Sequence, residues 1–265
     1  MTKIIIQGAG VVGQSTDVFL KEYNPQVEVI YNDPVKGFNA NVDDWASADY
    51  VIVCVNTNLD TSLPLPENTT ANVDAAINVA LQNKFTGKIV VRSTMGIESV
   101  RLLVEQLGQN LIVWPEYIRE ATWREDGINP RFVLMGGEGA EEFSKLVDAY
   151  KGSIIITDPV EAMIAKLSTN AFLAMKVIFA NQVERLCVAN GADYDIVRQL
   201  LEKEGRLGSS HWAVPGFDGE RGFGGKCFPK DVQTFETALV KAGQHIDLIR
   251  AVTDLNNTMR PNEHK

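Results

Sequence analysis

Residues 3–13 read KIIIQGAGVVG, a short apolar run that leads directly into the glycine pattern G-x-G-x-x-G. The run predicts a first strand, residues 3–7, and the residues that follow predict a helix over 11–23. In such a strand–turn–helix unit, Gly8 permits a tight turn, Gly10 lets the backbone approach a pyrophosphate, and Gly13 lets helix and strand pack closely. The pattern therefore predicts a dinucleotide-binding unit, whose cofactor residues are Gly8, Gly10, Val11, Val12 and Gly13.

Asp33 stands at the end of the second predicted strand, about 20 residues beyond the last glycine, as in dinucleotide-binding units. Its carboxylate can accept hydrogen bonds from the hydroxyls of an adenosine ribose and would repel a 2′-phosphate. Asp33 therefore favours NAD over NADP, which carries a 2′-phosphate. Lys36 lies close by in sequence, and its positive charge weakens this preference for NAD. The unit predicts NAD as the cofactor, with its phosphates at the N-terminus of the first helix.

Strand-like and helix-like segments alternate along the first half of the chain. Near-continuous β-branched strands indicate an α/β, Rossmann-like, doubly wound parallel sheet that is covered on both faces. At Asp158-Pro159 the pattern changes to a helix of about 30 residues, followed by shorter helices and a Gly-rich loop over 205–230. We predict a dinucleotide-binding domain over 1–157 and an all-helical domain over 158–265, which is built on the long helix and forms a homodimer through it.

The composition excludes several classes of protein. The chain has 265 residues, 45% of them hydrophobic, and a formal net charge of −9. This acidic balance argues against a general nucleic-acid binder, because phosphate neutralisation needs clustered Lys and Arg. Three cysteines and three histidines show no spacing typical of a disulfide framework or a metal site. We therefore expect no metal. The long apolar segment is interrupted by charged residues, so we expect no membrane partner. We also expect a cytoplasmic protein without a targeting segment.

Lys166 and Asn170 lie four residues apart on the long predicted helix, hence on one face. Most helical lysines are solvated, but these two residues stand among Ala, Leu, Met and Ile. A lysine that is partly withdrawn from water makes a useful acid, base or charge stabiliser. We therefore expect both residues to be buried and functional.

Cys227 lies on the Gly-rich loop, next to Lys226 and just before a predicted helix. A lone cysteine is usually a small buried hydrophobe, the interpretation that we give to Cys54 and Cys187. Neighbouring cations and a helix N-terminus favour a thiolate instead, so Cys227 is a candidate nucleophile. Asp231 is a candidate N-cap of the following helix and a candidate catalytic residue.

Two polar segments follow strands of the first domain, where open α/β sheets bind their ligands. Ser93-Thr94 follows one strand, and the segment Pro115-Glu116-Tyr117-Ile118-Arg119-Glu120 follows another. Glu116 and Glu120 are either ordinary surface charges or carboxylates that orient water or substrate hydroxyls.

Together these motifs resemble the UDP-glucose/GDP-mannose dehydrogenase family. They occur in the family's order along nearly the whole chain, and the block around Cys227 is the most specific of them. The matching segments are Gly8 to Gly13, Asp33, Ser93-Thr94, Pro115 to Glu120, Lys166 to Ala174, Gly191-Ala192-Asp193, Arg206-Leu207-Gly208 and Gly224-Gly225-Lys226-Cys227-Phe228-Pro229-Lys230-Asp231.

The resemblance implies oxidation of the C6 alcohol of a nucleotide sugar, UDP-glucose above all, to the uronate with reduction of two NAD. Cys227 would form a thiohemiacetal and then a thioester. Lys166 and Asn170 would stabilise charge on the C6 oxygen, with Lys166 and Asp231 sharing proton transfers. Glu120, together with Thr94 and a water, would serve proton removal or thioester hydrolysis.

The resemblance also implies a set of binding residues. Arg206 is similar to an arginine that reaches the substrate across a dimer interface. The other implied contacts are Thr57 and Thr94 with the cofactor, and Glu116, Tyr117, Ile118, Arg119, Glu120, Lys166, Asn170 and Gly224 with the nucleotide sugar.

The chain also departs from the family pattern. Asn56-Thr57-Asn58 replaces Pro-Thr-Pro, Met95-Gly96 replaces Val-Pro-Gly, and residues 218–221 resemble an insertion. We expect a short form that lacks the family's C-terminal nucleotide-binding domain. Two alternatives stay open: a two-electron β-hydroxyacid dehydrogenase, whose superfamily also has a Lys and an Asn four residues apart, and an inert binding protein derived from the family.

Overall fold

The computed structural model describes residues 1–68, 70–119 and 122–261. The strands are β1 Lys3–Gln7, β2 Glu28–Asn32, β3 Tyr50–Val53, β4 Leu59–Asp60, β5 Glu67–Asn68, β6 Lys88–Val91, β7 Leu111–Val113, β8 Phe132–Gly136 and β9 Ser153–Thr157. The α-helices are α1 Val11–Tyr23, α2 Val42–Ser47, α3 Ala71–Gln82, α4 Ile97–Leu107, α5 Trp123–Ile128, α6 Ala140–Ser144, α7 Pro159–Ala189, α8 Tyr194–Lys203, α9 Phe228–Lys241 and α10 Asp247–Met259.

The chain divides into two compact units. The first contains Met1–Asp60 and Asn68–Lys166, and the second contains Thr61–Glu67 and Leu167–Lys265. The division falls inside helix α7, which is continuous from Pro159 to Ala189. The domain limits that we expect from the sequence, 1–157 and 158–265, stay a prediction.

The first unit is built on a seven-stranded sheet of order β2-β1-β3-β6-β7-β8-β9. All neighbouring strands are parallel except β7 and β8, which are antiparallel and pair at Val113 and Gly136. The prediction of a Rossmann-like α/β fold with a doubly wound parallel sheet is confirmed, and among the described strands β7–β8 is the one antiparallel pair in this sheet. Strand order reverses between β1 and β3, so a ligand crevice is expected at the carboxyl ends of these strands.

The first unit buries both faces of its sheet. One face packs Ile4, Ile6, Ile52 and Val90 against aromatic side chains such as Trp114. The alternate residues Ile5, Val51, Val53 and Val91 are also fully buried. This double coverage explains why the strands read as uninterrupted β-branched runs instead of alternating apolar and polar residues.

Helix α7 begins and ends where the sequence predicts. The N–H of Val160 donates to Oδ1 of Asp158 at 2.7 Å, so Asp158 caps the helix, and Gly191 follows its end with φ +66°. Residues of α7 pack against α9, α10 and the loop that precedes α9, and together they form a second core. Its buried members are Ala171, Ala174, Ile178, Phe223, Val232, Ile249 and Val252.

Helix α7 is also long and apolar enough to cross a bilayer, judged by length and composition alone. Half of its most apolar window is buried inside the protein. Core helices of water-soluble proteins meet the same two criteria, so this property does not assign the helix to a membrane.

Candidate active site

Three glycines shape the turn between β1 and α1. Gly8 has φ +100°, which favours glycine, and a Cβ there would lie 2.6 Å from the carbonyl oxygen of Cys54. A Cβ on Gly13 would lie 2.0 Å from the carbonyl oxygen of Gly8. A Cβ on Gly10 would meet no atom of the described residues within 4 Å, which leaves room for a ligand. The turn therefore has the form that the glycine pattern predicts, and its contact with a cofactor stays a prediction.

Asp33 and Lys36 tie the end of β2 to this turn. Oδ2 of Asp33 accepts the N–H of Ala9 at 2.9 Å, and Nζ of Lys36 donates to the carbonyl oxygen of Ala9 at 2.7 Å. Gly10 is the N-cap of α1 and supplies no side-chain cap, so the positive end of the helix dipole faces the turn. These residues fit the phosphates and the ribose of a dinucleotide.

The ends of β3 and β6 carry further polar side chains predicted for the first domain. Thr57 and Thr94 are both buried. Ser93 Oγ donates to the carbonyl oxygen of Val55 at 2.7 Å, and Nδ2 of Asn68 donates to that of Thr94 at 3.3 Å. Because β1, β3 and β6 are parallel neighbours, these residues lie at the same edge of the sheet as the glycine turn.

Lys166 is 3% exposed and pairs with Glu116. The distance from its Nζ to Oε1 of Glu116 is 3.2 Å, and both side chains are more than nine-tenths buried. The N–H of Ile118 donates to Oε2 of the same carboxylate at 2.9 Å, and the lysine Nζ lies 5.1 Å from the ring centroid of Tyr117. Lys166 is therefore buried, as expected, and Glu116 is part of a sheltered ion pair instead of a surface charge.

Asn170 and Asp231 form a second buried cluster, inside the helical unit. Asn170 Nδ2 donates to Oδ2 of Asp231 at 2.6 Å, and Lys230 Nζ lies 2.6 Å from Oδ1. Asp231 is 1% exposed. The prediction that Asp231 caps the helix is wrong, because α9 begins at Phe228 with Cys227 as its N-cap. Asp231 instead lies in the first turn and points its carboxylate inward.

Cys227 is the exposed cysteine of the three, whereas Cys54 and Cys187 are buried as expected. It is the N-cap residue of α9, so its backbone is where the positive end of the helix dipole lies. The preceding loop turns at Gly225, with φ +78°, directly after Gly224. Cys227 is thus an exposed cysteine at a helix N-terminus, the kind of position that reactive cysteines occupy.

The remaining residues expected to bind substrate are more exposed. Arg119 donates to Asp126 from Nε at 3.0 Å and from a terminal nitrogen at 2.6 Å, and these bonds hold the pKa of the Asp126 carboxyl below its usual range. The Arg206 side chain is 88% exposed and pairs with Glu204. Glu120 lies outside the described residues. Among the residues that are described, no group of three or more His, Cys, Asp or Glu could hold a metal ion.

Comparison with known proteins adds a separate line of support. Residues 160–258 match the profile "UDP-glucose/GDP-mannose dehydrogenase family, central domain". UDP-glucose 6-dehydrogenase of Mus musculus is 31% identical over 217 residues, 74% of this chain and 43% of that protein. The enzyme of the same name from Streptococcus pneumoniae is 26% identical over 298 residues, 97% of this chain and 73% of that protein. The chain is thus similar to the UDP-glucose/GDP-mannose dehydrogenase family, and its residues 160–258 match the central domain of that family.

The chain also shares its fold with a UDP-glucose dehydrogenase from Pyrobaculum islandicum. The two structures superpose with a TM-score of 0.82 at 22% sequence identity, over 97% of this chain and 68% of the archaeal one. The chain thus spans under half of the mouse relative and about two thirds of the archaeal structure. The profile match includes Lys166, Asn170, Arg206, Cys227 and Asp231.

Sequence reasoning missed Arg92, a buried residue of the first unit. Arg92 follows β6 directly and is 5% exposed, with its guanidinium carbon 3.8 Å from the ring centroid of Trp114. Burial lowers the pKa of the guanidinium, and among the described residues its Nε has no acceptor. The available signal was a charged residue that closes a strand of buried β-branched residues, next to Ser93-Thr94.

Proposed function

We propose that this protein oxidises the C6 alcohol of a nucleotide sugar, with UDP-glucose as the favoured substrate, to the uronate. One observation carries the proposal. The first turn of α9 presents an exposed Cys227 and, four residues later, a buried Asp231 that is hydrogen-bonded to Asn170. An exposed cysteine at a helix N-terminus, with a carboxylate and an amide in the same unit, is suited to nucleophilic attack on a carbonyl. The similarity to UDP-glucose 6-dehydrogenases supports the same chemistry.

The cofactor would be NAD, which accepts two electrons in each of two oxidations. The glycine turn, Asp33 and Lys36 would hold it, with Thr57 and Thr94 at the neighbouring strand ends. The open side of Gly10 and the uncapped N-terminus of α1 support this assignment, because a dinucleotide phosphate needs both.

Cys227 would act between the two oxidations. After the alcohol has become an aldehyde, the sulfur bonds to the aldehyde carbon and forms a thiohemiacetal. The second oxidation gives a thioester; water then adds to the acyl carbon, the carbon–sulfur bond breaks, and the uronate leaves with the thiol regenerated. One alcohol, one water and two NAD thus give one carboxylate, two NADH and three protons.

The polar residues of α7 would support these steps. Lys166 and Asn170 stabilise the negative charge that develops on the C6 oxygen, since buried donors act strongly on such charge. Lys166 and Asp231 share the proton transfers. Glu120, with Thr94 and a water, serves proton removal or thioester hydrolysis.

A second copy of the chain would complete the substrate site. Phe172, Phe179 and Leu186 recur every two turns of α7 and are all more than half exposed, which gives the helix an apolar outer stripe. We assign this stripe to a homodimer in which Arg206 reaches the partner's nucleotide sugar. The segment Glu116 to Glu120 and Gly224 would contact the same ligand. We also propose a cytoplasmic location without nucleic-acid or membrane partners.

The first test counts NADH. The purified chain is incubated with NAD and a panel of UDP- and GDP-sugars, and absorbance is followed at the nicotinamide band. Two NADH per sugar consumed are expected. One NADH per substrate would favour the two-electron β-hydroxyacid dehydrogenase, and failure to bind either NAD or any sugar nucleotide would favour an inert protein.

A matched pair of cysteine variants tests the nucleophile. Cys227→Ser should abolish uronate formation while NAD binding persists, because only the covalent steps need the sulfur. Cys187→Ala changes a buried cysteine of the same unit and should keep activity. Undiminished uronate production by Cys227→Ser would refute the mechanism.

A further inference from the structure

Lys176 is a second buried lysine on α7, and the proposed chemistry does not use it. The residue is 8% exposed. Its Nζ donates to the carbonyl oxygens of Leu207 and Gly208, each at 2.9 Å, and lies 4.6 Å from the ring centroid of Trp212. Within the described part of the chain, no carboxylate forms an ion pair with this ammonium. Backbone carbonyls and an aromatic face hold it instead.

The loop over residues 205–212, which contains Leu207 and Gly208, is also held by hydrogen bonds at Trp212. Trp212 Nε1 donates to the carbonyl oxygen of Gly208 at 2.9 Å, so this carbonyl accepts two donors. Tyr194 Oη, at the start of α8, donates to the carbonyl oxygen of Trp212 at 2.6 Å. Gly208 has φ +65°, a conformation that a glycine adopts without strain. Loop 205–212 is therefore pinned to both α7 and α8.

The charge of Lys176 is costly at this position. Burial lowers the pKa of the ammonium, and the negative charge of Glu202 opposes this effect in part. An apolar side chain of similar length would avoid the desolvation cost. Charge-assisted hydrogen bonds are about twice as strong as neutral ones, and Lys176 makes two of them to consecutive carbonyls. The arrangement therefore serves to fix the loop.

Arg206 immediately precedes the two clamped residues. Its side chain is 88% exposed and pairs with Glu204, so it projects from a backbone that Lys176 holds in place. We propose that Lys176 is a positioning residue, which clamps Leu207 and Gly208 and thereby sets the point from which Arg206 reaches the nucleotide sugar. This inference rests on the proposed function, in which Arg206 contacts the substrate.

Steady-state kinetics with UDP-glucose test the link to substrate. Lys176→Met should raise KM for UDP-glucose about tenfold, the effect of one lost charge-assisted hydrogen bond, with kcat within about twofold and KM for NAD unchanged. Lys176→Arg keeps a cation near the carbonyls and should recover part of the loss. In an Arg206→Ala background, Lys176→Met should add no further increase, because both changes remove the same contact.

Hydrogen exchange tests the clamp itself, independently of catalysis. Amides of residues 205–212 should exchange faster in Lys176→Met than in the unaltered protein, while those of α10 should not change. If Lys176→Met does not fold, Trp212→Phe removes only the indole N–H bond to Gly208 and should give a smaller change of the same kind.

The kinetic outcomes separate the two claims. A raised KM in Arg206→Ala with an unchanged KM in Lys176→Met, or in Trp212→Phe where that variant replaces it, would overturn the positioning role alone. An unchanged KM in Arg206→Ala would overturn both the positioning role and the assignment of Arg206 to the substrate.

Discussion

Lys166 and Glu116 form an ion pair in which both side chains are almost completely withdrawn from water. Removing one partner of a buried pair leaves a charge without compensation, which typically costs about 3–5 kcal/mol. We therefore expect Lys166→Met to lower the free energy of unfolding by about that amount. Urea denaturation of the variant and the unaltered protein measures the difference.

The double variant Lys166→Met/Glu116→Gln is the control for this prediction. It removes both charges, so it should regain much of the stability that the single variant loses. Equal losses in the single and double variants would contradict the interpretation of the contact as an ionised pair.

Cys54 gives the protein a defined response to alkali. Burial raises the pKa of its thiol from 9.0 to about 11. Between these two values the folded protein keeps a proton that the unfolded chain has released, so the free energy of unfolding falls as pH rises through the window. At about 1.4 kcal/mol for each pKa unit, the loss approaches about 2–3 kcal/mol near pH 11.

Buried tyrosines contribute to the same alkaline loss, because burial also raises the pKa of Tyr31 and Tyr50. The prediction is therefore a difference between two proteins. From about pH 8 to pH 11, Cys54→Ala should lose less stability than the unaltered protein, as followed by urea denaturation at each pH. Identical losses would show that the Cys54 thiol does not titrate as described.

At single positions, the sequence was informative where a polar residue stood in an apolar stretch. The burial of Lys166 and Asn170 was predictable for this reason. Glu116, the partner of Lys166, lies 50 residues away in the chain, and no local pattern encodes such a contact. Asp231 was misplaced because Asp is a good N-cap, whereas Pro229 in the first turn marks the earlier start of α9.

At the level of elements, the turn between β1 and α1 offers a pair of matched glycine variants. Gly13→Ala would press a methyl group against the carbonyl of Gly8 and should lower the free energy of unfolding by about 1–3 kcal/mol. Gly10→Ala meets open space and should leave stability nearly unchanged, but should weaken NAD binding about tenfold or more by occupying the path of the phosphates. Urea denaturation and titration with NADH fluorescence measure the two effects.

Equal stability losses in the two glycine variants would contradict the geometry of the turn. Tight NAD binding by Gly10→Ala would contradict its assignment to the cofactor.

Helix and strand positions were largely predictable, because buried runs and caps are local signals. The ranges of β1 and α1 agree with the sequence prediction. The antiparallel direction of β8 was not predictable, since a buried strand has the same residue pattern in either direction.

At the scale of the whole molecule, the outer stripe of α7 predicts a dimer. Phe172 is 58% exposed, and Phe172→Asp would place a charge in the proposed interface. We expect this change to raise the dimer Kd about 100-fold or more. Sedimentation velocity over a range of protein concentrations measures it.

Leu102→Asp is the control for the dimer prediction. Leu102 is as exposed as Phe172 but lies on α4, outside the stripe, so this change should leave the association state unaltered. A monomeric unaltered protein, or a Phe172→Asp variant that still dimerises, would contradict the assignment.

The α/β class and the change to helices near residue 158 were visible in the sequence, because both depend on periodicity and on one good cap. The grouping of residues 61–67 with the helical unit was not visible. It depends on Pro66, whose carbonyl oxygen accepts the hydroxyl of Thr237 at 2.6 Å, and on Glu67, which pairs with Lys241 at 2.8 Å. These partners lie more than 170 residues away.

The grouping of residues 61–67 with the helical unit determines how the two units could be expressed separately. Because Thr61–Glu67 belongs to the helical unit, the chain passes from one unit to the other three times, and neither unit is a single uninterrupted piece of polypeptide. Cutting the gene after Lys166 would leave Thr61–Glu67 on the fragment that contains the first unit. Helix α9 would then lose its contacts with Pro66 and Glu67. To express the helical unit separately, the seven residues Thr61–Glu67 would have to be added to it, or the chain would have to be circularly permuted so that the unit includes them.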